Sequence, residues 1–167
     1  MMSLLEKSIA EARETLKGHH EYLAGNETAT RMLVVDVIMA ALGWNVRDPL
    51  QVRLEHWAGK NNRVDYVLMS SSGGVLAVVE AKPAGAGPRE TDRRQASGYA
   101  TEIGARYAVL TNGARWEAWE MVPLIPRKNN IIVEVHLTTG ELAEIASTLE
   151  RLSRESLEPE NLSSERK

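Results

Sequence analysis

At 167 residues, 43% hydrophobic and 26% charged, the chain has the size and balance of one ordinary soluble domain with its own core. A net charge of −3 argues against a protein that coats polyanions through bulk charge, and the absence of cysteine excludes disulfides and thiolate metal sites and fits a cytoplasmic location. No apolar run nears the roughly 20 residues of a membrane span, and Met1 to Lys7 lacks a secretion signal's apolar block.

Leu4, Leu5, Ile9, Ala12 and Leu16 give residues 3–17 the apolar face of a helix, which Gly18 and the His19-His20 pair end or loosen. Asn26 is a good N-cap for a second helix over residues 27–42. Apolar residues lie almost all round that helix (Met32, Leu33, Val34, Val35, Val37, Ile38, Met39, Leu42), so packing on several sides is expected. Residues 50–57 alternate weakly. Clearer strands cover 63–69, 75–81, 106–111, 115–121 and 131–137, with turns at 70–74 and at Asn112-Gly113. A helix over 89–103 falls between the second and third of these strands. A final helix over 141–152 runs into a polar tail, 153–167, expected to fray. This order implies one α/β domain over residues 1–152, a mixed β-sheet flanked by helices.

The chemistry concentrates at residues 64–82. Asp65 lies among Val64, Tyr66, Val67 and Leu68, where an acid is costly unless it sits at the strand's rim or binds a cation. Taken alone it reads as a strand-end acid paired with Arg63 or a backbone amide. Glu80 ends the run Val75 to Val79, a strand apolar enough to be buried on both faces. Lys82 shares Glu80's side by strand alternation, and Pro83 holds Lys82 extended. An exposed Glu–Lys pair would be worth only ~0–1 kcal/mol; its place after a buried strand, with Asp65 on the preceding one, points to a site.

Asp65 … Glu80-Ala81-Lys82 resembles the PD-(D/E)xK nuclease signature, with Val64 where the proline often stands. The surroundings resemble the N-terminal nuclease domain of type I restriction enzyme motor subunits. The matching segments run in order: Asn26 to Thr30 leading to Leu42-Gly43-Trp44-Asn45, Arg63 to Leu68, Val79 to Pro83, Gln95 to Ala100, and Ala108 to Gly113. The resemblance implies a restriction-endonuclease-like fold and Mg²⁺-dependent phosphodiester hydrolysis, with Mn²⁺ able to substitute. Asp65 and Glu80 would hold the metal, the Ala81 carbonyl would be a third oxygen, and Glu27 matches the supporting acid. Read from its helix alone, Glu27 is a first-turn acid that complements the dipole and pairs with Arg31. Gln95 and Tyr99 match the Q-x-x-x-Y element and share a helix face at i, i+4. Two flanking acids favour the ammonium form of Lys82, which suits it to hold the attacking water and stabilise negative charge.

Between residues 51 and 94 seven basic side chains face five acids, a small surplus that permits phosphate contact. Lys60 and Arg63 are the better phosphate contacts. Arg93 and Arg94 are further candidates, although interleaved acids also suit a solvated helix end. Trp116 and Trp119 should face opposite sides of a strand as core and cover; Trp44 and Trp57 read as packing residues. The four histidines have no ligand spacing, and no Walker-type loop occurs. The expected function is a Mg²⁺-dependent DNA endonuclease in restriction or foreign-DNA defence. The alternative is a non-cutting nuclease-fold module that binds nucleic acid or depends on a partner. Expected partners are DNA and a second copy, or a separate motor or specificity subunit, with no membrane.

Overall fold

The computed structural model describes residues 1–159. Its N-terminal helices are α1 (Leu4–Gly18), α2 (His20–Ala24), α3 (Glu27–Thr30) and α4 (Asp36–Ala41), the last two joined by a π turn, Arg31–Val35. Six strands follow: β1 (Val52–Trp57), β2 (Arg63–Met69), β3 (Val75–Ala81), β4 (Tyr107–Thr111), β5 (Arg115–Glu120) and β6 (Ile131–His136). Helix α5 (Glu90–Ile103) crosses between β3 and β4, and α6 (Leu142–Leu149) and α7 (Arg154–Leu157) complete the described chain.

The strands lie in sequence order in one mixed sheet. Only β3 and β4 run parallel; the other neighbours are antiparallel. That follows from connection length: turns or a short loop can join antiparallel strands, whereas a parallel pair needs a crossover, here α5. Alternation along the buried strands feeds two cores. Tyr66, Leu68, Ala77, Val79, Val109 and Trp116 pack with α1, the π turn, α4 and α6. Val67, Val78, Ala108, Leu110 and Trp119 pack with Ala96, Tyr99 and Ala100 of α5. The α/β architecture expected from the sequence, a mixed sheet flanked by helices, is therefore present, and Trp116 and Trp119 do face opposite sides.

Four local expectations need correction. The single helix over 27–42 is interrupted by the π turn, and Met32 and Leu33 are exposed while Val34, Val35, Ile38 and Met39 are buried. Its packing is one-sided because the partner surface, α1 and the sheet, lies on one side only. Gly18 does end α1, but the stretch after it, for which the sequence offered no element, forms α2 with Leu23 fully buried. The tail holds a turn of helix, α7, capped by Ser153 and anchored by buried Leu157; an apolar anchor every few residues suffices where a groove awaits it. Residues 160–167 of that expected tail lie outside the described residues. Finally, Trp57 is not a packing residue but 55% exposed, because β1 is an edge strand.

Candidate active site

Asp65 and Glu80 meet because β2 and β3 are hairpin partners. The register Tyr66↔Val79 and Val67↔Val78 extends to set Asp65 opposite Glu80. Both side chains are buried, each residue 6% exposed. The Ala81 N–H donates to Asp65 Oδ2 at 2.7 Å, fixing that carboxylate across the hairpin. Lys82 continues from β3 with its own N–H donating to the Thr111 carbonyl at 2.8 Å, so the sheet holds the whole motif extended.

A chain of polar side chains runs from this pair to α5. Lys82 Nζ donates to Glu80 Oε1 at 3.2 Å and to Gln95 Oε1 at 2.7 Å. Gln95 Nε2 donates to Tyr99 Oη at 2.9 Å. The i, i+4 spacing of Gln95 and Tyr99 thus brings both to Lys82. Glu80 Oε2 is buried and, among the described residues, has no hydrogen-bond partner, an orphan that is costly in a folded protein.

On the other side stands Arg31, which sequence reasoning paired with Glu27. Its guanidinium instead donates to Asp65 Oδ1 at 3.1 Å and forms an ion pair with Glu55. Arg31 Nε also donates to Tyr66 Oη at 3.3 Å, and Tyr66 Oη donates to Asp36 Oδ1 at 2.7 Å. The helical register between the two is intact, since the Arg31 N–H donates to the Glu27 carbonyl; the guanidinium turns away because the sheet brings two other acids, Asp65 and Glu55, within reach. No sequence signal exposed the Glu55 contact. Glu55 has φ of 49° and stands opposite Asp65 in the gap between the pairs Leu54↔Tyr66 and His56↔Val64.

The electrostatics are those of carboxylates short of positive charge. Burial pushes the Asp65 carboxyl up to about 6 against the opposing pull of the Ala81 N–H and Arg31, with Glu27 and Glu55 adding repulsion. Burial and the neighbouring Asp65 push Glu80 up to about 8, although Lys82 acts the other way; Glu27 again adds repulsion. Glu27 is thus near enough to be felt by both acids. Burial and the Glu80 charge also raise the Tyr99 phenol.

The remaining sequence candidates are scattered. Lys60 and Arg63 are exposed on the β1–β2 hairpin. Arg93 is committed to buried Glu117 by bonds of 2.9 and 3.0 Å, so its charge is already compensated. Arg94 projects into solvent, 4.0 Å from Glu90.

Hard divalent cations take oxygen ligands, and Mg²⁺ manages with one or two carboxylates plus substrate oxygens and water. The donor set fits such an ion: two desolvated carboxylates side by side, one oxygen orphaned, and repulsion from Glu27 that a cation would relieve. Among the described residues there is no cluster of three His, Cys, Asp or Glu ready-made to hold a metal. The same residues contain no helix long and apolar enough to cross a membrane.

Among solved structures, a DrdV–DNA complex determined by cryo-electron microscopy aligns with TM-score 0.52 and 18% identity over 92% of this chain and 99% of that one. The type IIG restriction endonuclease BpuSI aligns with TM-score 0.47 and 14% identity over 92% of this chain. A fragment assigned to an HsdR subunit of a type I restriction enzyme from Vibrio vulnificus YJ016 aligns with TM-score 0.48 and 24% identity over 74% of this chain. The chain spans only 16% of the BpuSI chain and 25% of the Vibrio chain. No curated protein matches. Residues 26–143, more than half of the chain, match the family described as type I restriction enzyme R protein N terminus (HSDR_N); they enclose β1 to β6 and every residue from Glu27 to Tyr99 discussed above, and the chain belongs to that family.

Proposed function

We propose that this protein is a Mg²⁺-dependent endonuclease that hydrolyses DNA phosphodiester bonds in restriction or foreign-DNA defence. The observation that carries the reading is the pairing of buried Asp65 and Glu80 across the hairpin, with Glu80 Oε2 unpartnered and Lys82 held between Glu80 and Gln95. A DNA complex among its structural relatives agrees with the choice of substrate.

Asp65 and Glu80 would hold the cation, with the Ala81 carbonyl and Glu27 as supporting oxygens. Once bound, the ion would lower the pKa of a water and offset charge on the scissile phosphate. Lys82 Nζ, with three donors, has two of them engaged by Glu80 and Gln95, which would leave the third for the reacting oxygen. Gln95 and Tyr99 fix the direction of that ammonium. Arg31 and the Ala81 N–H lock the Asp65 carboxylate in place, so no reorganisation is needed on substrate arrival.

Incubating purified protein with supercoiled plasmid and Mg²⁺ or Mn²⁺, with and without chelator, tests the reading. Asp65→Ala, Glu80→Ala and Lys82→Ala should each abolish metal-dependent nicking while circular dichroism stays native. Cleavage that survives in Lys82→Ala would sink the assignment. An intact wild-type protein that binds DNA without cutting it would favour the non-cutting module.

A further inference from the structure

Three of the four tryptophans are sealed in the two cores: Trp44, Trp116 and Trp119 are each 1% exposed or less. Trp57 is the exception at 55%. It ends β1, directly paired with Arg63 of β2, and the Arg63 guanidinium carbon lies 4.2 Å from the centre of its ring. A cation over one face is favourable in itself and holds the indole in a fixed orientation. With more than half of the residue exposed, the ring remains open to a second flat group.

The position of this pair gives it a role. Arg63 precedes Asp65 by two residues on β2, roughly 7 Å at ~3.3 Å per residue. Beyond Trp57 the hairpin turn carries exposed Lys60, Asn61 and Asn62, and β1 carries exposed Arg53. The acid on this strand, Glu55, is already paired with Arg31, and although Glu102 of α5 faces Gly59 of the turn, Arg53, Lys60 and Arg63 outnumber it, so the hairpin favours a phosphate backbone. Trp57 also adjoins, through Ala58, a cleft of about 420 Å³ bounded by Gly59 and Asn62 of the turn and by Gln95, Tyr99 and the acid Glu102 of α5. That cleft shares Gln95 and Tyr99 with the chain leading to Lys82.

We propose that Trp57, clamped by Arg63, is a stacking platform for an unpaired nucleobase beside the cleavage centre. A base inside a continuous duplex is stacked on both faces, so only a single-stranded, terminal or extruded base can use the indole. Exposed aromatic side chains among basic groups are how proteins grip single strands without reading sequence, at about 1–3 kcal/mol per stacked base. The proposal rests on the nuclease reading and deepens it: the strand engaged next to the cut is single-stranded or locally opened.

The test compares metal-free protein in chelator with two probes of equal length, a 12-nucleotide thymidine oligomer and an abasic oligomer that keeps only sugar and phosphate. Fluorescence anisotropy of oligomers carrying a 5′-fluorescein reports the binding for wild type and variants alike, and quenching of the exposed Trp57 indole reports stacking in wild type. Wild type should prefer the thymidine oligomer by roughly five- to a hundred-fold, with quenching of the exposed indole. W57A should bind both oligomers equally, and W57F should keep part of the preference. R63A should weaken binding to both. Equal binding of the two oligomers by wild type, or a preference that survives in W57A, overturns the platform and leaves the nuclease reading standing. Failure of wild type to bind these oligomers and duplex DNA alike overturns both.

Discussion

Individual residues of the site differ in how far the sequence announced them. Asp65, Glu80 and Lys82 were legible because a charge in an otherwise apolar strand is costly and therefore stands out. Gln95 and Tyr99 came from the resemblance to the Q-x-x-x-Y element, and helical spacing added only that they share a face. Arg31 was not, because its partners are 24 and 34 residues away and a local rule assigned it to Glu27. Two predictions belong at this scale. Gln95→Ala removes the acceptor that directs Lys82 Nζ and should lower turnover roughly 10- to 100-fold, as losses of supporting hydrogen bonds do, with KM for DNA little changed in steady-state kinetics. Arg31→Met leaves Asp65 without its cationic partner, so the metal-free protein should lose stability in urea unfolding. Added Mg²⁺ should then restore more of that loss than it adds to wild type.

At the scale of elements, periodicity located the long helices and the central strands but missed the π turn, α2 and α7. Each of these depends on a surface supplied from elsewhere. The π turn packs against Gly113, where a Cβ would lie 3.2 Å from both Thr30 Cγ2 and Val34 Cγ1 and where φ is +87°. Gly113→Ala should therefore cost about 1–3 kcal/mol, from strain at that backbone and a crowded contact, measured by urea unfolding. Helix α7 is short, yet Leu157 is only 4% exposed, and the Glu158 carboxylate accepts a bond from the Ser71 N–H at 2.8 Å. Leu157→Ala should therefore lower stability by about 2–5 kcal/mol in urea unfolding, where a frayed tail would show no change.

For the whole molecule, opposing carboxylates set the pH response. Glu80 is pushed up to about 8 and Asp65 to about 6, above their values in an unfolded chain. The metal-free folded state thus binds more protons than the unfolded state between roughly pH 4 and 8, and stability falls as pH rises through that window. Glu117 is the reverse: bonds from Arg93 and attraction by Arg115 hold it below the usual range despite burial. Its contribution is present above the unfolded pKa and is lost as pH falls through the folded one. Metal-free protein should therefore show its highest Tm in mildly acidic solution, declining toward pH 8. Mg²⁺ should raise Tm more at pH 8 than at pH 5, and its binding at pH 7 should release protons, seen by calorimetry in buffers of different ionisation enthalpy.

By itself the sequence determined the α/β class, the sheet's central strands and the acid–acid–lysine set, since these rest on short-range pattern: alternation, turn residues and charges set in apolar runs. Only the tertiary structure decided what surrounds Asp65, that Glu80 has an unpartnered oxygen, and that Trp57 stands exposed on an edge strand. Those facts depend on which distant segments arrive at one place. No local period encodes that.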